Sequence, residues 1–176
     1  MANKKAVIFC SANKDIDSLF EQAAREVVRA VCLAGYDIVS GGTTKGTMAV
    51  VARAAMEFSG HHRGVIPRFM KEYLTDDVDE VVWTDKMSER KDEMRAETSL
   101  AIALPGGIGT LDELIETLTL AKLKIYPGKL IAYNVGGFYE PLRNLLDHFV
   151  ETRMLYQEDR NLISFPSTIE ELKELL

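Results

Sequence analysis

Short apolar runs alternate along this chain with longer stretches in which apolar residues recur every three or four positions, the pattern of strands and amphipathic helices taken in turn. The runs predict strands near residues 5–10, 37–40, 63–66, 80–83, 100–104 and 129–133. The longer stretches predict helices near 17–34, 46–58, 86–98, 111–123, 138–152 and 168–175. Gly35 follows the first helix as a C-terminal stop, and Ser167 precedes the last as an N-cap. Alternation of this kind builds βαβ units. No linker, repeat or low-complexity segment interrupts it, so the expectation is one α/β domain over residues 1–176, a doubly wound, mainly parallel sheet with helices on both faces.

In such a fold the ligand sits outside the carboxyl ends of the strands, where loops lead into helix N-termini. Two loops there are rich in glycine, Ser40-Gly41-Gly42-Thr43-Thr44-Lys45-Gly46-Thr47-Met48 and Pro105-Gly106-Gly107-Ile108-Gly109-Thr110-Leu111-Asp112-Glu113. The second falls between an apolar run and a helical pattern. Glycine there lets the backbone approach a ligand closely, and open amides with the helix dipole favour an anion. Thr110 adds a hydroxyl at the same point. The loop lacks the third glycine of a dinucleotide fingerprint, and Lys45-Gly46-Thr47 inverts the order of a P-loop, so NAD and ATP chemistry are disfavoured.

Two residues carry competing readings. Thr110-Leu111-Asp112-Glu113 is itself a capping box, with the threonine as N-cap and Glu113 as N3, although a cap alone does not require the Pro-Gly-Gly-x-Gly lead-in. Met87, Arg90, Lys91 and Met94 share one helical face by their spacing. That face is either an ordinary surface on which Arg90 pairs with Glu93, or a guanidinium and an ammonium beside an apolar wall, which suits a flat base joined to an anionic sugar phosphate.

Composition removes other classes. Acidic residues outnumber basic ones, 27 against 21, so the net charge of −6 repels a nucleic-acid backbone, while a small anion needs only a local site. Cys10 and Cys32 have no ligand spacing, and so few cysteines read as a reducing compartment. The apolar stretch Ala6–Cys10 is too short for a signal core or a membrane span, and the expectation is a cytoplasmic protein without a membrane partner. Adjacent His61 and His62 are poorly placed to share one ion, and His148 stands alone, so all three read as surface or packing residues and no metal is expected. Cys10 reads as a small buried hydrophobe.

Three segments together, Met87-x-x-Arg90-Lys91, Pro105-Gly106-Gly107-x-Gly109-Thr110-x-x-Glu113 and Gly41-Gly42-x-x-x-Gly46-x-Met48, give the chain a resemblance to the LOG family. These are Rossmann-like cytokinin riboside 5′-monophosphate phosphoribohydrolases, some of which carry an older lysine decarboxylase label. The resemblance extends to Ile8-Phe9-Cys10-Ser11, Gly64-Val65-Ile66-Pro67 and Gly137-Phe138-Tyr139-Glu140-Pro141-Leu142. It implies Arg90 and Glu113 as the catalytic pair, and Met87, Lys91, Gly42, Gly106, Gly107, Ile108, Gly109, Thr110 and Thr119 as substrate contacts. The implied substrate is a purine nucleoside 5′-monophosphate, with adenine or an N6-modified adenine as base, and no cofactor is implied. A homodimer or larger homo-oligomer is implied as well, with part of the site shared across subunits. The chain departs from the family in reading Gly-Gly-Thr-Thr-Lys-Gly-Thr-Met for Gly-Gly-Gly-x-x-Gly-Leu-Met, and Ser-Ala-Asn for Gly-Ser-Ser after Cys10.

Breaking an N-glycosidic bond builds positive charge on the sugar and negative charge on the departing base. On this reading Glu113 stabilises the oxocarbenium-like centre or orients the attacking water, and Arg90 assists the leaving base. Two other functions compete: a nucleotide or cofactor carrier on the same fold, and lysine decarboxylation, for which the sequence shows no Schiff-base motif.

Overall fold

The computed structural model describes residues 4–176. Its seven strands are β1 (Lys4–Phe9), β2 (Tyr36–Ser40), β3 (His62–Pro67), β4 (Glu80–Thr84), β5 (Thr98–Ala103), β6 (Lys129–Ala132) and β7 (Ile163–Ser164). All pair in parallel in the order β4-β3-β2-β1-β5-β6-β7. The helices are α1 (Ser18–Leu33), α2 (Gly46–Glu57), α3 (Met87–Arg95), α4 (Ile108–Lys122), α5 (Glu140–Glu151), α6 (Gln157–Arg160) and α7 (Ile169–Glu174). The fold is therefore the doubly wound α/β architecture read from the pattern.

A parallel sheet covered on both faces needs apolar side chains on both sides of each central strand. In β1, Ala6 and Ile8 join the core under α1 and α2, while Val7 and Phe9 point the other way and pack with Met94 of α3, Leu114 and Leu118 of α4, and Leu146 of α5. The chain steps outward from β1 through β4, then returns to place β5 on the free side of β1. That reversal makes a crevice outside the carboxyl ends of β1 and β5, where such folds receive ligands.

Several boundaries differ from the sequence reading. Strand β7 and helix α6 were not foreseen, being two and four residues long, too short to show a period. Helix α3 ends at Arg95 and β5 begins at Thr98, not after residue 98, because Glu97 turns the chain with a φ of 61°. The N-cap of α7 is Thr168, whose side chain accepts from the Glu171 amide, and not Ser167. Helix α4 begins three residues earlier than expected: Gly107 is its N-cap, and Gly109 and Thr110 lie in its first turn. Gly35 does follow α1 in the left-handed region, with a φ of 82°.

Candidate active site

The shift at α4 removes the capping-box reading of Glu113. With Gly107 as N-cap, Thr110 is the third helical residue and Glu113 lies one turn deeper, so the two side chains do not bracket the helix start. Glu113 is 6% exposed and faces Arg90, itself 5% exposed. Arg90 Nη1 lies 3.6 Å from Glu113 Oε1. The surface pairing of Arg90 with Glu93 is likewise not found. Arg90 Nε donates to Val65 O at 3.0 Å and Nη2 to Gly41 O at 3.4 Å, so the guanidinium lies across the carboxyl ends of β3 and β2.

The first glycine loop makes room for that guanidinium. A methyl group on Gly41 would overlap Arg90 Nη2. Gly42, at a φ of 66°, packs on the backbone of Gly64, and Gly46, at 54°, packs on the carbonyls of Ser11 and Asn13. Thr47 Oγ1 accepts from Ser11 N at 2.9 Å and donates to Ser11 O at 3.1 Å, while Thr43 Oγ1 meets Met48 Sδ at 3.2 Å. The loop is thus an internal support, its three buried hydroxyls, those of Ser40, Thr43 and Thr47, already engaged.

The second loop opens outward. The first intrahelical bond of α4 runs from Leu111 N to Gly107 O at 3.0 Å. Helix geometry leaves the amides of Ile108, Gly109 and Thr110 without intrahelical acceptors, at the positive end of a 15-residue helix.

These parts surround a cleft of about 570 Å³, a size that fits a nucleotide. Arg90, Glu113, Met87, Lys91, Gly107, Ile108, Gly109 and Thr110 all line it. Three other residues implied by the resemblance do not. Gly42 is packed as described, Gly106 abuts the Thr110 side chain, and Thr119 is exposed farther along α4 with its hydroxyl donated to Ile115 O at 2.9 Å. The structure adds Asn13, Lys45, Met70 and Asp112 to the walls. Asn13 was traceable, since it follows the carboxyl end of β1; Met70 lies in a 3-10 helix (Arg68–Tyr73) that leaves no periodic signal.

Burial sets the electrostatics. It raises the Glu113 carboxyl from 4.5 to about 7, because the attraction of Arg90 offsets only part of the desolvation. Burial also lowers Arg90 from its ordinary value, against the pull of Glu113. The Cys10 thiol, on the cleft floor, is pushed up to about 12 by burial and then by Glu113, so it is no nucleophile at neutral pH. Lys91 is opposed by burial, yet Asp112 and Glu116 outweigh this and hold its ammonium above the ordinary value.

The histidines are surface or packing residues, as expected. His62 is buried between Ser40 Oγ at 2.7 Å and Asp77 O at 2.6 Å, while His148 is exposed near Glu151. Among the described residues, no group of three or more His, Cys, Asp or Glu side chains is arranged to hold a metal, and no helix is long and apolar enough to cross a membrane.

Known proteins resemble this chain in sequence and in fold. A family described as "Possible lysine decarboxylase" matches residues 48–176. The chain is 33% identical over 175 residues to a probable cytokinin riboside 5′-monophosphate phosphoribohydrolase of Oryza sativa subsp. japonica, covering 98% of this chain and 83% of the relative. It is 34% identical over 171 residues to the rice cytokinin riboside 5′-monophosphate phosphoribohydrolase LOG, covering 96% and 71%. Among solved structures, the molybdenum cofactor carrier protein of Chlamydomonas reinhardtii superposes with a TM-score of 0.75 at 17% identity, over 99% of this chain and 96% of that one. The molybdenum cofactor binding protein of Rippkaea orientalis gives 0.73 at 20%, over 99% and 96%. The structural likenesses establish the shared fold, and the sequence matches over nearly the whole chain establish descent: the chain belongs to the LOG family.

Proposed function

We propose that the protein hydrolyses the N-glycosidic bond of a purine nucleoside 5′-monophosphate, releasing the free base and ribose 5-phosphate. The observation that carries this reading is the buried Arg90–Glu113 pair, set beside the open N-terminus of α4 in one cleft. The amides of α4 suit the 5′-phosphate, so binding energy remote from the reacting bond orients the ribose over the pair. As the bond from C1′ to the base nitrogen breaks, its electrons leave with the base, which takes up a proton. Water adds its oxygen to C1′ and gives up a proton. Glu113, poised near neutrality, stabilises the cationic sugar or orients that water, and Arg90 offsets the charge on the base.

The decarboxylase description fits the residues poorly. A Schiff-base lysine must lose its proton readily. Lys91 is held charged between two carboxylates, and Lys45 Nζ is engaged on the Tyr73 ring, 3.2 Å from its centre.

We propose further that the protein works as a homodimer or larger homo-oligomer. Ile108 and Leu111 on α4 are 88% and 41% exposed, and Leu145 and Phe149 on α5 are 46% and 37% exposed, an apolar surface on one side of the sheet that a second copy would cover. Thr119, exposed on the same helix and away from this chain's cleft, would then act at the partner's cleft. Light scattering in solution checks the assembly.

The deciding assay measures free base from adenosine 5′-monophosphate and from adenosine. Rapid release from the monophosphate with little from the nucleoside is expected. Equal rates would remove the phosphate site from the argument, and binding without release would favour a carrier.

A further inference from the structure

Lys91 follows Arg90 and lines the same cleft, yet its ammonium is already engaged. Nζ lies 3.0 Å from Asp112 Oδ2 and 3.1 Å from Glu116 Oε2. The two carboxylates differ in how firmly they are held. Glu116 Oε2 also accepts from the buried Arg95 Nη1 at 2.7 Å, which locks it into the contact between α3 and α4. Asp112 is 61% exposed, and among the described residues its hydrogen-bonding side-chain partner is Lys91.

Asp112 follows Ile108 by four residues and Gly109 by three, so it lies one turn down the same side of α4, and all three line the cleft. A phosphate received by the α4 amides comes to rest about 5 Å, one helical pitch, from that carboxylate. Two anions then contend for one ammonium. An exposed ion pair is weak and easily exchanged, and a phosphate dianion brings more charge and more acceptor oxygens than a carboxylate. A neutral nucleoside brings neither.

We propose that Asp112 is a resident competitor for the phosphate in the cleft: it holds Lys91 until a phosphate takes its place, so phosphorylated ligands enter by exchange of one anion for another and bind less tightly than they would to a free Lys91. The inference rests on the phosphoribohydrolase reading for the position of the phosphate. It differs from a purely structural clamp between α3 and α4, which would make Asp112 a stability residue with no effect on ligand affinity.

Calorimetric titration of the full chain with ribose 5-phosphate tests it. Asp112→Asn is expected to tighten binding about two- to fivefold at low salt, the range of an exposed ion pair, and less at high salt. Asp112→Ser should do the same with a shorter side chain. In a Lys91→Gln background the Asp112→Asn change should no longer tighten binding. Unchanged or weaker binding by both Asp112 variants, at an unchanged melting temperature, overturns the proposal, as does tightening that persists without Lys91. A protein that shows the expected tightening but releases no base from nucleoside monophosphates sinks the hydrolase reading and leaves this one standing. No binding of ribose 5-phosphate at millimolar concentration overturns both.

Discussion

The two glycine-rich loops at the carboxyl edge of the sheet resemble each other in composition and are used in opposite ways. In the loop after β2, glycine serves packing: Gly41 clears the guanidinium of Arg90, and Gly42 and Gly46 take left-handed backbone angles against β3 and the segment after β1. In the loop after β5, Gly109 has nothing within 4 Å of where a methyl group would stand. One loop builds the seat of the Arg90 guanidinium, and the other leaves amides open at the N-terminus of α4. A run of glycines therefore marks close approach, and only the surroundings say whether protein or ligand approaches.

The largest expected effect falls where the two loops meet. Glu113→Gln removes the charge facing the developing cation and keeps the side chain's size. Turnover should fall on the order of 100-fold to 1,000-fold, about 3 to 4 kcal/mol. Arg90→Lys should cost similarly, because an ammonium cannot reach Val65 O and Gly41 O while facing Glu113. Base release at matched melting temperature decides: near wild-type turnover in Glu113→Gln would reduce the pair to a structural feature.

Next comes the loop that seats the cation. Gly41→Ala forces the Arg90 guanidinium out of its place, and displacement of about 1 Å at a catalytic group commonly costs on the order of 100-fold in turnover. Gly46→Ala meets backbone oxygens of Ser11 and Asn13 at a positive φ, so it should lower the melting temperature before it alters kinetics. Thermal melts and kcat for both variants separate the two glycines. A Gly41→Ala enzyme with wild-type kcat would show that the seat does not matter.

Much of this architecture is legible in the sequence because central strands of a covered parallel sheet are continuous apolar runs, as in Ala6-Val7-Ile8-Phe9. The start of α4 is hidden in the sequence because Gly107 and Gly109 read as a turn, whereas Gly107 is an accepted N-cap residue and a single glycine in the first turn weakens a helix without preventing it. The site was harder. A buried arginine and an exposed one look alike in a helical pattern, and the carboxylate that decides the matter stands 23 positions away in the sequence. The family motifs join Arg90 to Glu113; spacing alone leaves open whether Arg90 pairs with Glu93 or faces a ligand. Met70 enters the cleft from a 3-10 helix whose placement no local pattern encodes.

The pH response probes the same pair. Glu113 is raised from 4.5 to about 7, and the groups facing it are Arg90, Lys91 and Arg95 from α3, Asp112 beside it, Cys10 from the end of β1 and Tyr139 near α5. A raised carboxyl means that the folded chain binds the proton more tightly than the unfolded one. The stabilisation is fully present below about 4.5 and is lost as pH rises through about 7, amounting to about 3 kcal/mol for this shift. Activity should run the other way, rising through about 7 as the carboxylate forms. Glu113→Gln should flatten the stability slope between pH 5 and 8. Parallel loss of stability in wild type and variant would assign the slope to other groups.

The smallest effect should come from Gly109→Ala, the counterpart of Gly41→Ala in the open loop. Gly109 sits in the first turn of α4 at an ordinary backbone angle, with open space around the added methyl group. Alanine there relieves a helix penalty of at most about 1 kcal/mol, so the melting temperature should hold or rise slightly. The amide remains, and so does the dipole that favours an anion. The methyl group nevertheless stands on the wall where the phosphate would approach, so KM should rise severalfold while kcat is kept. Gly41→Ala should do the reverse, lowering kcat with little change in KM, because it moves Arg90 and leaves the α4 amides in place. Measuring both parameters for both variants sets the two loops against each other directly. If Gly109→Ala loses kcat while Gly41→Ala loses only affinity, the roles assigned to the loops are exchanged, and the phosphate must be sought at the N-terminus of α2 instead.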